Sequence, residues 1–390
     1  MHILFVESSR SWGGQEYRTC LEINWLNQRG HQAWLMCDRK SEVFPKAAEL
    51  GTRVRTMPLR RRFDPLSSWR LWRFCRRNEI DLIKTYSSKD HWLSLPLYFS
   101  GIPVVRARCI TDPVGNKWRT FIYKHGCAKI VADAQVIKKQ LVEQNGIPAD
   151  KIAVIGSGVD LAKFAPDRDR MKLRQELGFS AETPVIVNIG MIRYDKGQTK
   201  LIKAARIVLQ QRPDAQLIFV GQATGDRWRE AQLRQRIHQA GLEDKIIMLG
   251  YRWDTPDILA AADIVVIASL GTEASSIVLR EAFAASRPVV ATRIGDVPEV
   301  VKDRENGLTV EPDNPEALAE AILEFLSNKQ LAAHCAASAL RYARDHFSFD
   351  RMMEAKLDID LALSKKAKGS QIAGSKRSTN PVPSEFVSSK

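Results

Sequence analysis

Two glutamates eight positions apart, Glu273 and Glu281, bracket a run of small and hydroxylated residues, Ala274-Ser275-Ser276. The run follows an apolar, β-branched stretch at 262–269, which reads as a buried parallel strand. Ser275 or Ser276 can cap a helix that opens at the carboxyl end of that strand. The first amides of such a helix, at Ser276, Ile277 and Val278, have no partner inside it. They carry the positive end of the helix dipole and suit a phosphate or diphosphate. Small side chains at 274–276 let a ligand approach the backbone. Carboxylates beside an anion cradle repel the anion, so their chemical use is to accept hydrogen bonds from hydroxyls elsewhere on the ligand, as a sugar offers.

A second anion site lies upstream. Residues 184–190 read as a strand ending at Gly190, and the loop 191–197 carries Arg193 and Lys196 before a helix predicted at 198–211. Two cations after a parallel strand suit an anion. The chain opens with a strand at 2–7, a loop containing Gly13-Gly14, a helix ending near Gly30, and a strand at 31–37. This is a βαβ unit without the G-x-G-x-x-G dinucleotide fingerprint. Taken alone, Gly13-Gly14 is a tight turn; opposite a ligand, it would let the backbone come close.

Composition bounds the rest. The 390 residues suffice for two domains, and an apolar fraction of 44% allows full cores. No apolar run approaches a bilayer span. The amino-terminal residues read as a strand and not a signal peptide, and six cysteines without a C-x-x-C pair suggest the reducing cytoplasm. The seven histidines form no metal-binding pair, so no metal site is expected. Net charge is +14 and uneven: residues 1–165 hold 27 Lys+Arg against 15 Asp+Glu, residues 166–390 hold 32 against 30. A basic first half points to an anionic partner, though solubility alone explains such a surface too. The Arg60 to Arg77 region mixes arginines with Trp69, Trp72 and Phe74. It suits a membrane interface, a nucleic acid, or a plain covering helix with Trp72 buried. Residues 364–390 are rich in Lys, Ser and Gly and read as a disordered tail.

The run from Asp263 to Leu308 resembles the signature of retaining glycosyltransferases of family 4. The resemblance rests on Glu273 and Glu281, Pro288-Val289-Val290-Ala291-Thr292, Gly295-Asp296-Val297-Pro298-Glu299 and Asn306-Gly307-Leu308. It extends over about residues 1–360. It implies an α/β chain of the GT-B type: two Rossmann-like doubly wound domains, 1–165 and 166–346, facing a cleft, with a final helix at 347–363 crossing back. It implies transfer of a sugar from a nucleotide-diphosphate sugar to an acceptor hydroxyl with retention, without metal or other cofactor. Arg193, Lys196 and the amides at 276–278 would neutralise the diphosphate, Glu273 would orient the donor sugar, and Glu281 would bind ribose hydroxyls. Donor contacts are also implied at Gly13, Gly14, Gly190, Gly250, Tyr251, Arg252, Ala274, Ser275 and Ile277. Gln15, Tyr86, Arg106, Arg108 and Cys109 are the candidate acceptor contacts. The expected acceptor is a glycan or glycolipid at an anionic membrane surface, in bacterial lipopolysaccharide or polysaccharide assembly. The sequence departs from the family where Cys109 and Tyr86 replace histidines, Ser157 an asparagine and Met191 an arginine. An epimerase, a catalytically silent relative at the membrane and a nucleic-acid-binding module are the alternatives.

Overall fold

The computed structural model describes residues 1–377 except 60–63, 116, 224–227 and 272–274, with backbone alone at 117 and 368–377. The first domain runs β1 (His2–Glu7), α1 (Gly14–Gln28), β2 (Gln32–Cys37), α2 (Val43–Glu49), β3 (Val54–Thr56), α3 (Pro65–Arg77), β4 (Leu82–Thr85), α4 (Ser88–Phe99), β5 (Val104–Arg108), α5 (Lys117–His125), β6 (Lys129–Ala132), α6 (Gln135–Glu143) and β7 (Ile152–Val154). The second runs α7 (Met171–Glu176), β8 (Val185–Ile189), α8 (Gln198–Gln211), β9 (Gln216–Val220), α9 (Trp228–Gln239), β10 (Ile246–Gly250), α10 (Thr255–Ala261), β11 (Ile264–Ile267), α11 (Ile277–Ala284), β12 (Val289–Thr292), α12 (Val297–Val300), β13 (Leu308–Val310), α13 (Pro315–Ser327) and α14 (Lys329–His346). A last helix, α15 (Phe349–Arg377), follows.

Both sheets are parallel, in the orders β3-β2-β1-β4-β5-β6-β7 and β10-β9-β8-β11-β12-β13. Runs such as Ile3-Leu4-Phe5-Val6 and Val185-Ile186-Val187 are buried along their whole length. An alternating pattern would suit a sheet with one wet face; an unbroken apolar run needs helices on both. Strand order reverses between β1 and β4 and between β8 and β11. Loops diverge at such switch points and leave a crevice at the carboxyl ends of the strands, where ligands bind in open α/β sheets. The glycine loop follows β1, so topology brings it to the crevice of the first sheet; the cationic loop follows β8 and the Glu281 helix follows β11, so topology brings both to the crevice of the second.

Helix α15 crosses from the second domain to the first. Residue Ser348 pairs with Val159 at the crossover, and Met352 and Met353 join the core of Phe5 and Ile23. Lys356 donates to Glu22 Oε1 at 2.6 Å and Lys84 meets Asp360 Oδ2 at 2.6 Å, both pairs buried. Each buried charge depends on its partner, because a lone ion there would lose its hydration uncompensated.

The structure departs from the sequence expectations at two places. The helix continues past residue 363 to Arg377, into the stretch read as a disordered tail. Ala, Leu, Lys and Gln are good helix formers, and no proline interrupts them before that point. The remainder of that tail, 378–390, lies outside the described residues. Trp72 is at the surface and not in the core. Ser67, Leu71 and Cys75 form the inward face of α3, and a step of one residue from Leu71 turns Trp72 away from it.

Candidate active site in the interdomain cleft

A cavity of about 270 Å³ lies where the carboxyl ends of the two sheets face each other. Trp12, Gly13, Gly14 and Arg18 line it from the first domain. Gly13 caps α1, and a Cβ on Gly14 would stand 3.4 Å from Ile277 Cδ1 at the start of α11. A methyl group there would only touch Ile277, so the two domains' loops lie within van der Waals reach at this point. On the opposite wall, Gly190 and Met191 follow β8. The loop is fixed by Gly197, whose φ of 68° and position 1.8 Å (for a notional Cβ) from the Ala268 carbonyl oxygen admit glycine only. Leu270 donates its amide to the Asp195 carbonyl at 2.7 Å. The cationic loop is thus pinned to the end of β11, just ahead of α11.

Ser276 caps α11, its hydroxyl accepting from the Leu279 amide at 3.3 Å. Of the two candidate caps, Ser276 takes the role; Ser275 instead donates to Ser157 Oγ at 3.3 Å, at the interdomain crossover. Ile277, Val278 and, one turn on, Glu281 line the cavity. Burial pushes the Glu281 carboxyl up to about 8, against the opposing pull of Lys163 on the same cavity. A carboxyl so raised is a group waiting for donors: hydroxyls that hydrogen-bond to its charged form would draw it back down. Glu273 and Ala274 lie outside the described residues.

The mouth of the cavity is aromatic. Trp12 Nε1 donates to the Tyr251 hydroxyl at 3.2 Å, joining the two domains. Trp253 sits 6.4 Å from Trp12, 6.2 Å from Tyr17 and 4.9 Å from Tyr251 between ring centroids. Tyr251, Arg252 and Trp253 all border the cavity, beyond Gly250 at the end of β10. Arg252 is held by Asp254 and Glu176, at 2.6 and 2.7 Å.

Family models match the chain over almost its whole folded length: glycosyltransferase family 4 at residues 12–163 and glycosyl transferases group 1 at 169–341. The chain belongs to the group 1/family 4 glycosyltransferases. The D-inositol 3-phosphate glycosyltransferase of Xylanimonas cellulosilytica is 31% identical over 245 residues, 61% of this chain and 57% of that protein. The lipopolysaccharide core biosynthesis mannosyltransferase LpsB of Rhizobium meliloti is 30% identical over 201 residues, 51% and 57% of the two chains. The chain spans somewhat over half the length of the curated relatives it matches. The crystal structure of Anabaena HepE in complex with UDP has a TM-score of 0.81 at 25% identity, covering 92% of this chain and 99% of that one.

In this family member, the residues named from sequence divide. Gly13, Gly14, Gly190, Tyr251, Arg252, Ile277 and Glu281 meet at the cavity. Arg193 and Lys196 stand in the loop after β8 but do not form the cavity wall; Met191 does. The Arg193 guanidinium grips Asp195 through two hydrogen bonds of 2.9 and 2.8 Å.

The acceptor-side candidates fare differently. Tyr86 is buried, its ring stacked on Phe5 and its hydroxyl donating to Glu22 Oε2 at 3.3 Å. Arg106 and Arg108 flank the Tyr123 ring and donate to the carbonyls of Ser87 and Asp112. Their positions on β5 turn them into the domain, so none of the three offers its polar group to the cleft. Gln15 donates to Glu7 Oε2 at 2.9 Å. Burial pushes the Cys109 thiol up to about 12, leaving it neutral.

Arg18 escaped the sequence reading. It lines the cavity and donates to Asp133 Oδ2 at 2.9 Å, to Ser157 Oγ and to Cys109 Sγ at 3.1 Å. Burial alone would lower its basicity, but Asp133 and Glu22 raise it well above the ordinary value. The signal was present: an Arg18–Glu22 pair one turn apart on the face of α1 that also holds Thr19, Ile23 and Leu26. Charges on an apolar helical face must find partners.

Proposed function

We propose that this protein transfers a sugar from a nucleotide-diphosphate sugar to a hydroxyl of a glycan or glycolipid, with retention at the anomeric carbon. The observation that carries the reading is the Ser276-capped start of α11 opening on a cavity whose wall also holds the raised Glu281 carboxyl. One helix then offers an anion cradle and a hydroxyl acceptor about one turn apart, the two needs of a nucleoside diphosphate. Ser276 takes the Leu279 amide, which leaves those of Ile277 and Val278 to the diphosphate. Lys196 and Arg193 add charge, Arg193 exchanging Asp195 for the diphosphate. Glu281 accepts from the ribose diol and Glu273 orients the donor sugar.

With the Cys109 thiol neutral, the departing diphosphate takes the acceptor proton on the face it leaves, which preserves configuration. Rate then comes from positioning and from stabilising the diphosphate as charge develops. The protein acts with no cofactor beyond the donor. The Anabaena HepE structures hold UDP and UDP-glucose, and LpsB acts in lipopolysaccharide core biosynthesis. The first supports a nucleotide-sugar donor, the second a role in bacterial lipopolysaccharide or polysaccharide assembly. The basic first domain supports an acceptor carried at the inner face of the membrane; no helix among the described residues is long and apolar enough to cross one.

The test is NMR of the product formed from each anomerically defined donor with a lipid-extract acceptor. Retained configuration and released nucleoside diphosphate are expected. An inverted product, or no diphosphate release with any donor, overturns the reading.

A further inference from the structure

We propose that the outer face formed by α3, α4 and α5 docks on an anionic lipid bilayer. The three helices pack side by side on one face of the first sheet, their inner residues Leu71, Leu97 and Ile122 sharing one core. Their outer residues are what a soluble surface avoids. Leu66 is 54% exposed, Trp69 50%, Trp72 37%, Phe99 65%, Trp118 72% and Phe121 45%. Trp69 lies two residues from the buried Leu71, about 200° round the helix, so it faces away from the core. Trp118, Phe121 and His125 repeat the pattern at i, i+3 and i+7, an outward stripe on α5.

Charge complementarity selects the occupant. Helix α3 exposes Arg70, Arg73, Arg76 and Arg77 and contains no acidic residue; α5 carries Arg119 and Lys124 and none either. Arg73 sits over the Trp69 ring at 5.4 Å and Arg76 over Trp72 at 5.7 Å. Rings at the depth of the headgroups with guanidiniums beside them match an interface where apolar chains meet anionic phosphates. A single-stranded nucleic acid would instead favour a groove lined by stacking rings. This face is the outside of three helices, and Leu66 and Phe99 offer a base no hydrogen bond.

Each of the three helices runs from the carboxyl end of one parallel strand to the start of the next. Leu66, Trp69 and Trp118 therefore stand at the cleft end of the face. A bilayer held there reaches the lip of the cleft, and a lipid-linked acceptor can enter while its chains stay in the membrane. That last step rests on the transferase reading; the docking itself does not.

The experiment is co-sedimentation of the full chain with phosphatidylcholine vesicles, with and without phosphatidylglycerol. Thermal stabilisation by nucleotide sugars is read in parallel for every variant. Wild type should bind the anionic vesicles and not the neutral ones. Joint Arg73→Glu and Arg76→Glu should weaken binding by about 25-fold or more, at roughly fivefold per charge lost. Joint Trp69→Ser, Trp72→Ser and Trp118→Ser should weaken it by about tenfold or more. Trp228→Ser, an exposed tryptophan on α9 of the other domain, should leave it unchanged. Vesicle binding lost in the surface variants with the nucleotide response intact supports the proposal. Vesicle binding without any nucleotide response supports the docking while removing the transferase reading. Absence of binding by wild type, equal binding by all variants, or displacement of the vesicles by single-stranded nucleic acid overturns it.

Discussion

Replacing Glu281 by glutamine removes a charge that the fold disfavours and the ligand needs. The folded carboxyl titrates at about 8 and its ordinary value is 4.5, the difference caused by burial. Below pH 4.5 both folded and unfolded chains hold the proton and the group is silent. Between 4.5 and about 8 the folded chain keeps a proton that the unfolded chain has released, so stability falls as pH rises. At about 1.4 kcal/mol per pH unit the whole window amounts to on the order of 4–5 kcal/mol. Water entering the open cavity screens the charge, which brings the expected loss to about 2–4 kcal/mol. The Glu281→Gln variant has no such slope. Urea unfolding of both proteins without ligand, from pH 5 to pH 9, should show the glutamine variant gaining on wild type as pH rises. Donor binding should reverse the ranking. Hydrogen bonds to a charged acceptor contribute about 1.5–3 kcal/mol, so the variant should bind a nucleoside diphosphate about 10- to 150-fold more weakly above pH 8. Binding by wild type near pH 7 should release a proton, read by calorimetry in buffers of different ionisation enthalpy. A stability difference independent of pH, or one that favours wild type as pH rises, refutes the reasoning.

Further outcomes follow from the same geometry. Gly197→Ala forces a Cβ into the Ala268 carbonyl and a left-handed backbone, so the loop after β8 must move; melting should fall and the donor-induced shift disappear together. Lys356→Met leaves Glu22 with Arg18 and Lys84 as its cationic neighbours inside the first domain and should cost about 3–5 kcal/mol in urea unfolding; a loss below 1 kcal/mol would show that the Lys356–Glu22 pair does not hold α15 in place. The Cys109 thiol, at about 12 in place of 9.0, should be alkylated about a thousandfold more slowly at pH 8 in the folded than in the unfolded chain. Trp12→Phe removes the hydrogen bond to Tyr251 at a cost of about 1 kcal/mol and should speed donor release in stopped-flow more than it slows binding.

Elements built from long apolar runs were legible in the sequence. The stretch at 184–190 became β8 (Val185–Ile189), and the helix expected at 198–211 became α8. Topology then carried each half of the site, the glycine loop at the switch point of the first sheet and the cationic loop and Glu281 helix at that of the second; that the two halves face each other across one cleft came from the family resemblance. Side-chain direction was not legible. Arg106 and Arg108 sit at the tip of a strand that ends at the cleft, and only the packing of α5, which brings Tyr123 against them, decides that they turn inward. The Arg18 network required knowing that α1 meets the end of β6 and the crossover, both more than a hundred residues further along the chain. The extension of α15 was missed because composition reports the lack of an apolar face and says nothing of helix propensity carried onward from a docked segment.

The most direct test of the account is thermal stabilisation by a panel of UDP, GDP and ADP sugars, with Lys196→Ala and Glu281→Gln beside wild type. The account predicts a shift with one nucleotide class, reduced in Lys196→Ala and, above pH 8, in Glu281→Gln. No shift with any donor, or a shift that both variants retain in full, would contradict it.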